Sequence, residues 1–447
     1  MIAMRMSEMS DCVDGERSGA DVRFEGVSTD TRTLRAGELF VALRGPRYDA
    51  NGLLEAARAS GAAGALAERR SDAGLPCVQV QDARLAFARL AGSWRERHST
   101  AIVAVTGSNG KTTVKEMLAA ILARAGDVLA TRGNLNNDIG VPLTLCRLGQ
   151  RHRFAVIEMG ANHAGEIDAL VRLVRPAVAV VTLCAPAHLE GFGSVEAVAR
   201  AKGEIFAGLQ PDGIAVINAD DPNAPLWEVL AGGRRKVRFG FGVGAEVRAA
   251  DLGGSQTRRI RIDTPAGTIE TELALLGRHN VVNAAAAVAC ALALGVGLDA
   301  CRTGLAEMRP VAGRLQTRHG VRGCRIVDDS YNANPGSLAA AIAAVADLPG
   351  RRWLALGDMR ELGPEAARFH RDAGRLAREG GIERLFAVGD LAREAAASFG
   401  TAATLYTRPE DAAADIGRQI DADVTLLVKG SRSMHMERVV DALAQEA

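Results

Sequence analysis

Apolar and polar positions alternate through the middle of this chain in a pattern that predicts strands and helices in turn. Short apolar runs typical of buried strands lie at 102–105, 154–158, 178–183 and 214–218, with amphipathic helical stretches between them. This alternation predicts right-handed crossovers and a largely parallel sheet with helices on both faces. Residues 257–275 then favour antiparallel strands, and an alanine-rich helix follows from Asn280.

The alternation restarts beyond Pro310 and Gly313, which indicates a second doubly wound unit. Its predicted strands are 326–328, 353–357, 385–389 and 424–428, and its predicted helices are 337–346, 365–379 and 434–443. Before residue 99 the pattern is shorter and mixed, with one helix predicted over 53–59. Because the chain is too long for one ordinary core, we predict an α/β fold of three domains, at 1–98, 99–312 and 313–447.

The stretch AIVAVTGSNGKTT, at 101–113, predicts a phosphate-binding loop between a strand and a helix. A glycine-rich turn lets backbone N–H groups converge on phosphate oxygens, and Lys111 adds a full positive charge. Thr112 is placed to offer its hydroxyl to a magnesium ion. The pattern is a variant, because Val105 stands where the usual motif has its first glycine. The alternative, a chance glycine turn, is disfavoured by the flanking strand and the periodic helix.

Strand ends on one edge of the predicted sheet bring further polar groups toward this loop. Glu158 and Asn218 each end a buried strand, and ligands in such folds sit beyond the carboxyl ends of the strands. A carboxylate there suits magnesium, directly or through water, with a salt-bridged strand end as the alternative. His188 in a loop and Lys202 on a helix have spacings that, taken alone, favour structural or solvated roles.

Composition and charge exclude several classes of function. With 54 basic and 53 acidic residues the formal charge is +1, so no bulk field favours nucleic acid or an anionic membrane. Aromatic residues make up 4% of the chain, which argues against base-stacking platforms. Seven cysteines without a C-x-x-C pair indicate reduced thiols, a cytoplasmic protein and no zinc site.

Two segments bear on membrane association. The N-terminal stretch MIAMRMSEMSDC lacks the apolar core of a signal peptide. The uncharged run of 19 residues from Asn280 to Leu298 is mostly alanine and carries Gly295 and Gly297 near its end, so it fits a buried helix better than a membrane span. We therefore expect no membrane segment.

Ten motifs, in order along the chain, carry a resemblance to a known family. They are TGSNGKT, NNDIGVP, IEMGANHAGEI, HLEGFGS, AKGEIF, GRHNVVNA, AGRL, DDSYNANP, GDMRELG and VKGSRS. Together they resemble the ATP-dependent Mur ligases, from about residue 22 to the end of the chain. Within that family, GANHAGEI, HLEGFGS and DDSYNANP are similar to the member that adds a D-alanyl-D-alanine dipeptide.

The resemblance implies an N-terminal domain for the UDP-sugar end of the substrate, a central ATPase domain and a C-terminal Rossmann-like domain that closes over the site. It implies ligation of D-alanyl-D-alanine to a UDP-N-acetylmuramoyl tripeptide through an acyl phosphate, in peptidoglycan precursor synthesis. We therefore expect a monomeric cytoplasmic enzyme without a nucleic acid partner. The rivals are a ligase that adds a single amino acid or glutamate, and an ATPase that makes no bond. The dipeptide motifs and the third domain disfavour them.

Carried over motif by motif, the resemblance also assigns roles to residues. Thr112 and Glu158 would hold one magnesium ion, and His188 would lie by a second. Lys202 is similar to a family lysine that is carbamylated by carbon dioxide. The implied ATP contacts are Thr106, Gly107, Ser108, Asn109, Gly110, Lys111, Thr112, Thr113, Asn137, Asn280, Asn283, Arg314 and Asp329. The implied substrate contacts are Ser28, Asp30, Arg32, Arg44, Asn332 and Asn334.

Four points stay open at this level. The group around Asp30, Arg32 and Arg44 fits a solvated surface loop as well as a phosphate-bearing ligand. Asn280 and Asn283 share one helix face, and Asn280 could also cap that helix. The strand-end residues Lys429, Ser431 and Arg432 could meet a carboxylate or a helix N-terminus. Finally, Asn51 stands where the family usually has a histidine in a D-x-H segment, so the implied UDP site lacks that imidazole.

Overall fold

The computed structural model describes residues 1–46, 48–70, 74–255 and 257–445. Its strands form sheets of five, nine and six strands, in chain order, and two further two-stranded pairs. Because helices alternate with the strands of these sheets, the predicted α/β fold class is confirmed. Within the described ranges, no helix has the length and apolar character needed to cross a bilayer.

The N-terminal part is built on the five-stranded sheet, whose strand order is β2-β9-β8-β5-β4. Its strands are β1 Ala3–Arg5, β2 Glu16–Ser18, β3 Arg23–Glu25, β4 Val27–Ser28, β5 Leu39–Val41, β6 Arg44–Gly45, β7 Tyr48–Asp49, β8 Gly64–Ala67 and β9 Cys77–Gln79. Its helices are α1 Met6–Val13, α2 Leu54–Ala59 and α3 Ala83–Glu96, with a 3-10 turn at Ala50–Leu53. Helix α1 buries Met6, Met9 and Val13, in a segment where the sequence pattern is too irregular to predict an element.

The central part carries the nine-stranded sheet, in the order β11-β12-β10-β13-β14-β15-β16-β17-β18. Its strands are β10 Ala101–Thr106, β11 Val128–Ala130, β12 Phe154–Glu158, β13 Val178–Val181, β14 Ile214–Asn218, β15 Arg235–Gly240, β16 Val247–Asp251, β17 Arg258–Thr264 and β18 Gly267–Leu273. Its helices are α4 Lys111–Leu122, α5 Gly140–Leu145, α6 Glu166–Val174, α7 Leu189–Phe192, α8 Val195–Gly203, α9 Ala224–Leu230, α10 His279–Ala293 and α11 Leu298–Ala306, with a 3-10 turn at Glu204–Phe206. The sheet is parallel from β11 to β16 and antiparallel beyond it, as predicted.

The C-terminal part carries the six-stranded sheet, in the order β19-β20-β24-β21-β22-β23. Its strands are β19 Gln316–His319, β20 Arg325–Asp329, β21 Arg351–Gly357, β22 Arg384–Val388, β23 Ala403–Tyr406 and β24 Val424–Lys429. Its helices are α12 Pro335–Ala346, α13 Ala366–Glu379, α14 Ala392–Phe399, α15 Pro409–Gln419 and α16 Glu437–Leu443, with 3-10 turns at Val321–Gly323, Gly363–Glu365 and Arg432–Met434. Only β19 runs antiparallel to its neighbour, so this is the predicted second doubly wound unit.

Element ends differ from the sequence prediction where a cap or a turn decides them. The helix predicted to begin at Met434 begins at Glu437, because a 3-10 turn and a left-handed His435 precede it. The strand predicted to reach residue 183 ends at Val181. The uncharged run from Asn280 forms helix α10, which is buried along most of its length, as predicted. Strands β15 and β16 have no counterpart in the predicted pattern, because charged residues interrupt their apolar positions.

The three parts do not share their cores equally. One apolar cluster contains residues of both the N-terminal and the central part, among them Phe87, Trp94 and Leu145. Trp94 Nε1 also donates to the Leu148 carbonyl at 3.1 Å. The two apolar clusters of the C-terminal part contain only one buried residue from before position 313, which is Leu276. The C-terminal part therefore contacts the rest of the chain mainly through polar groups, as movable domains commonly do.

Candidate active site

The phosphate loop lies at the carboxyl end of β10, the strand from which the chain adds strands first on one side of the sheet and then on the other. The chain passes from β10 to β11 on one side and from β12 to β13 across it, which makes this edge a topological switch point. Gly107 and Gly110 have φ angles of 146° and 82°, in the region that glycine alone adopts readily. A side chain at Gly107 would overlap the Thr182 hydroxyl, which donates to the Asn109 carbonyl at 2.6 Å.

We expect Gly107→Ala to destabilise the protein by about 1–3 kcal/mol, because the added methyl group must displace Thr182 from the loop. The measurement is the free energy of unfolding in urea. Gly133→Ala is the matched control, since Gly133 also has a positive φ but nothing lies within 4 Å of the position of its added Cβ. Equal losses in the two variants would show that the overlap at Gly107 has no energetic consequence.

Lys111 begins helix α4 and turns back over the loop. Its Nζ donates to the Gly107 carbonyl at 2.7 Å. Burial lowers the pKa of Lys111, the Glu158 carboxylate acts in the opposite direction, and the Arg314 guanidinium lowers it further. The loop therefore holds a buried lysine side chain where it could contact a bound anion.

Glu158 ends β12 next to this lysine and is 2% exposed. Its Oε2 accepts from the Thr112 hydroxyl at 2.9 Å, and its Oε1 accepts from Asn136 Nδ2 at 2.8 Å. The sequence did not single out Asn136; it pointed to the adjacent Asn137, whose Oδ1 accepts from the Gly140 backbone N–H at 2.9 Å, at the start of α5. The doubled asparagine in NNDIG was the available signal, but the pattern does not say which amide points inward.

The carboxylate and hydroxyl of Glu158 and Thr112 are hard oxygen donors, which is the set that magnesium prefers when substrate phosphates complete its shell. Within the described residues, no group of three or more His, Cys, Asp or Glu side chains could hold a metal by itself. The donors present thus fit a magnesium ion shared with a nucleotide better than an all-protein metal site.

Lys202 lies on α8 and is 1% exposed. Its Nζ is 3.4 Å from the Ala161 carbonyl and 5.4 Å from the centroid of the Phe192 ring. Burial, and then the positive charge of Lys111, lower the pKa of Lys202 to about 7. A buried amine with this pKa is largely uncharged just above neutrality, which makes it a nucleophile.

His188 reaches across to the C-terminal part of the chain. Its Nδ1 lies 2.5 Å from Glu361 Oε2, and the Glu190 N–H donates to the Glu361 carbonyl at 3.4 Å. The nearby His188 imidazole lowers the pKa of Glu361. No sequence pattern connects Glu361 with His188, because 173 residues separate the pair and only the tertiary fold brings them together.

Asn280 and Asn283 lie at the start of α10, beside the loop. Asn283 Nδ2 donates to Asn280 Oδ1 at 2.9 Å, and Asn280 Nδ2 donates to the Leu276 carbonyl at 2.7 Å. The predicted shared face is confirmed, and Asn283 Oδ1 faces Gly110 closely enough to exclude a side chain there. Asn280 is inside the first turn and does not cap the helix.

An open cavity of about 490 Å³ lies near the start of α10. Its lining residues are Phe241, Ala249, Ala250, Asp251, Gly253 and Arg278. The Arg278 guanidinium lies 4.3 Å from the centroid of the Phe241 ring. A flat cation over an aromatic ring offers a surface on which a planar base can stack.

Three residues of the C-terminal part complete the site. Arg314 Nη2 donates to the Thr112 hydroxyl at 3.5 Å, and its guanidinium lies 4.2 Å from the centroid of the Tyr331 ring. Asp329 accepts from the Leu315 N–H at 3.2 Å and from Lys429 Nζ at 2.5 Å. Of the two partners considered for Lys429, the structure selects a carboxylate.

The asparagines of the NANP segment bond to other groups of the protein. Asn332 Oδ1 accepts from the Ala333 N–H at 2.9 Å. Asn334 caps α12 by accepting from the Ser337 N–H at 2.8 Å, and its amide also pairs with Asn109 of the phosphate loop. The structure thus brings Asn334 to the site, with its amide in contact with protein groups.

The N-terminal candidates form a separate group. Ser28 Oγ accepts from the Asp30 N–H at 3.2 Å, and Asp30 Oδ2 accepts from Arg32 Nη2 at 2.6 Å, within one turn. The Arg32 bonds lower the pKa of Asp30 to about 2. Arg44 lies apart from this turn, in strand β6.

Asn51, where the resembled family has histidine, is buried at 8% exposure. Its Nδ2 donates to Asp49 Oδ1 at 2.7 Å, and its Oδ1 accepts from the Glu68 N–H at 2.9 Å. Both ends of its amide are therefore used in holding the loop to the neighbouring strand end.

Comparison with known proteins agrees with this geometry. A model of the Mur ligase middle domain matches residues 105–291, and a model of the Mur ligase, glutamate ligase domain matches residues 313–432. The chain belongs to the Mur ligase family. The two matches contain the phosphate loop, Glu158, His188 and Lys202 in the first and Asp329 and Lys429 in the second.

Relatives and solved structures in this family cover the whole chain. The UDP-N-acetylmuramoyl-tripeptide–D-alanyl-D-alanine ligase of Escherichia coli is 44% identical over 100% of this chain and 99% of its own length. A crystal structure of MurF from Acinetobacter baumannii superposes with a TM-score of 0.93 at 35% identity, covering 99% of this chain and 98% of that one. The MurF ligase of Thermotoga maritima, solved in complex with ADP, has a TM-score of 0.83 at 28% identity, covering 94% and 96%. This chain is therefore a Mur ligase along its full length, and the resemblance in its motifs is confirmed.

Proposed function

We propose that this Mur ligase joins D-alanyl-D-alanine to a UDP-N-acetylmuramoyl tripeptide at the expense of ATP, the last step of the precursor pentapeptide. The observation that carries the proposal is the meeting of Lys111, Thr112 and Glu158 at one strand edge. It occurs in a chain that matches named ligases of this reaction over its full length. The Thermotoga relative was solved in complex with ADP, which supports an adenine nucleotide as a ligand of this chain.

In the proposed reaction, the terminal carboxylate of the tripeptide attacks the γ-phosphorus of ATP, and ADP leaves. The amine of the dipeptide then attacks the carbonyl carbon of the acyl phosphate. Phosphate leaves, and the nitrogen loses a proton as the amide bond forms. Lys111 stabilises charge on the transferring phosphoryl group, so the loop contributes positioning and electrostatics. Closure of the C-terminal part excludes water, which protects the acyl phosphate from hydrolysis.

Two magnesium ions are part of the proposal. Thr112 and Glu158 would hold one, and His188 with Lys202, as a carbamate, would hold the other. Bound magnesium supplies charge neutralisation to the phosphates during transfer. Lys202 supports a carbamate because its amine is buried, lies near Lys111 and has a pKa of about 7, so that it can attack carbon dioxide and become an anion.

The other proposed contacts are to the adenine, the UDP group and the dipeptide. Asn280, Asn283 and the stacked Arg278 and Phe241 would meet the adenine, and Arg314 and Asp329 the rest of the nucleotide. The turn of Ser28, Asp30 and Arg32, with Arg44, would bind the UDP end, and Asn332 the dipeptide. We propose domain limits at 1–98, 99–312 and 313–447, because one large sheet falls within each. A monomer in the cytoplasm would suffice, since every proposed group comes from one chain.

The test is phosphate release from ATP by the purified protein with UDP-N-acetylmuramoyl tripeptide, with and without D-alanyl-D-alanine. We expect release to require the dipeptide and the product to have the mass of the pentapeptide. Single amino acids and glutamate in place of the dipeptide are the matched controls. Release with a single amino acid would favour another ligase activity, and release indifferent to any acceptor would leave only an ATPase.

A further inference from the structure

An amide pair joins the phosphate loop to the C-terminal part of the chain. Asn334 Nδ2 donates to Asn109 Oδ1 at 2.8 Å, and Asn109 Nδ2 donates to Asn334 Oδ1 at 3.2 Å. The two residues are 225 positions apart, and Asn334 is only 8% exposed. Each amide therefore both donates to and accepts from the other. Among the hydrogen bonds of the described residues, no other pair of side chains joins these two parts in this reciprocal way.

The orientation of the Asn334 amide is fixed by its own helix. Its Oδ1 accepts from the Ser337 N–H at 2.8 Å, and Ser337 Oγ accepts from the Asn334 N–H at 3.0 Å, which is a reciprocal capping box. Because the capping bond requires an oxygen on that side, the Nδ2 group must point to Asn109. Pro335 follows at the first helical position and stiffens the approach. Helix α12 thus presents a preorganised donor and acceptor to the loop.

Asn109, which makes this contact, is also held by the central part of the chain. The Thr182 hydroxyl donates to the Asn109 carbonyl at 2.6 Å, while the side chain of Asn109 is bound by Asn334. Gly336, the next residue but one after Asn334, lies close to Ala185 and to Asn109 Nδ2. The conformation of the loop at Asn109 therefore depends on both the central sheet and the C-terminal part.

The pair of Asn109 and Asn334 carries no net charge, which is compatible with its position beside the proposed phosphate site. A charged partner at Asn109 would attract or repel the phosphates that the adjacent Gly110 and Lys111 are proposed to bind. Two amides bond without adding net charge, so the contact can order the loop without competing for the phosphoryl group. Since the C-terminal clusters share one buried apolar residue with the rest of the chain, few contacts define how that part sits over the loop.

We propose that Asn334 is a positioning residue, which acts through Asn109 to set the phosphate loop when the C-terminal part closes. This rests on the proposed ligase function. The pair links closure to the geometry of phosphoryl transfer: the loop reaches its working conformation only when α12 is seated. Its loss should lower kcat, while ATP can still bind to the central part.

The test is a double-mutant cycle of Asn334→Ser and Asn109→Ser. Serine keeps the cap of α12 but is too short to reach Asn109, so the cap and the pair are separated. We expect each single variant to lower kcat for dipeptide-dependent phosphate release about 10-fold, with KM for ATP changed by less than about 3-fold in Asn334→Ser. Because both variants remove the same contact, the double variant should also lose about 10-fold, instead of about 100-fold. The melting temperature of Asn334→Ser should stay close to that of the unaltered protein.

Additive losses in the double variant, or unaltered kcat in both single variants, would overturn the proposal. A second measurement does not depend on the reaction: hydrogen exchange of the peptides spanning 107–113 and 334–338. Either single variant should raise exchange in both peptides, and the double variant should raise it no further. If the unaltered protein released no phosphate with any acceptor, the proposed function would fail, while this exchange cycle would still decide the amide pair. Exchange confined to the mutated side would contradict it.

Discussion

Lys111→Ala should lower dipeptide-dependent phosphate release by about 10³-fold, because it removes the one full positive charge within the phosphate loop. The Lys111 ammonium is buried and donates to the Gly107 carbonyl. A water molecule that entered in its place would carry no charge and would stabilise the phosphoryl group less. The measurement is kcat with saturating tripeptide and dipeptide. Binding of the tripeptide should survive, since the proposed UDP contacts lie in the N-terminal part.

Lys236→Ala is the matched control for Lys111→Ala. Lys236 lies near the start of β15, at the opposite end of the strands from the loop, and donates to the Gly232 carbonyl at 2.5 Å. Its removal should leave kcat within about 2-fold, as for other surface changes away from the site. Normal turnover in Lys111→Ala would remove the phosphate-loop argument altogether.

Lys202→Ala should lower activity by about 10²-fold, and short carboxylates should restore part of it. The substitution removes a buried amine and leaves a space near Phe192 into which formate or acetate can enter and supply the missing anion. Activity is measured across a series of formate, acetate and propionate, with chloride at equal ionic strength as the control. A fully active Lys202→Ala protein would show that the family lysine had been assigned to the wrong position.

A spectroscopic experiment separates a carbamate from a merely structural lysine. With ¹³C-labelled bicarbonate, the unaltered protein should give a carbamate carbon signal that Lys202→Ala lacks and Lys236→Ala keeps. The amine reacts only when neutral, and burial lowers the pKa of Lys202 to about 7. At a fixed concentration of dissolved carbon dioxide, the signal should therefore grow faster at pH 8 than at pH 6. An identical signal in Lys202→Ala would contradict the assignment.

The contacts at the site also bear on the proposed closure of the C-terminal part. Besides the ion pair of Arg258 with Asp347, three side-chain contacts cross to the C-terminal part at the site. They are His188 with Glu361, Thr112 with Arg314, and Asn109 with Asn334. All three start from residues that the sequence connects with phosphate or metal. In the proposed mechanism, closure of the C-terminal part would therefore also assemble the groups around the phosphate loop, which would keep water from the acyl phosphate.

Local pattern accounts for what the sequence predicted well. Strands β12 and β14 begin and end where their apolar runs do, because a buried strand needs apolar side chains on both faces. The phosphate loop is equally local, since its glycines, Lys111 and Thr112 are neighbours in the chain. Glu158 was also predictable, because the carboxyl ends of parallel strands meet at one edge of the sheet.

Misses arose where a residue's partner comes from another element. Asn136 and Asn137 are equivalent in the pattern, but only the first turns toward Glu158. Helix α1 has a short amphipathic stretch without a strong cap, and it is stable because Met6 and Met9 enter the core shared with α3. Local propensity is weak beside such tertiary contacts.

By itself the sequence determined the α/β class, several strands of the two doubly wound units, the phosphate loop and the family, since each depends on residues close together in the chain. The tertiary structure alone decided which side chains meet: Glu158 with Asn136, His188 with Glu361, Lys429 with Asp329, and Asn109 with Asn334. Hydrogen bonds act over about 3 Å, whereas the chain separations of these pairs range from 22 to 225 residues. Such contacts form only once the sheets and helices have packed, so no local pattern can encode them.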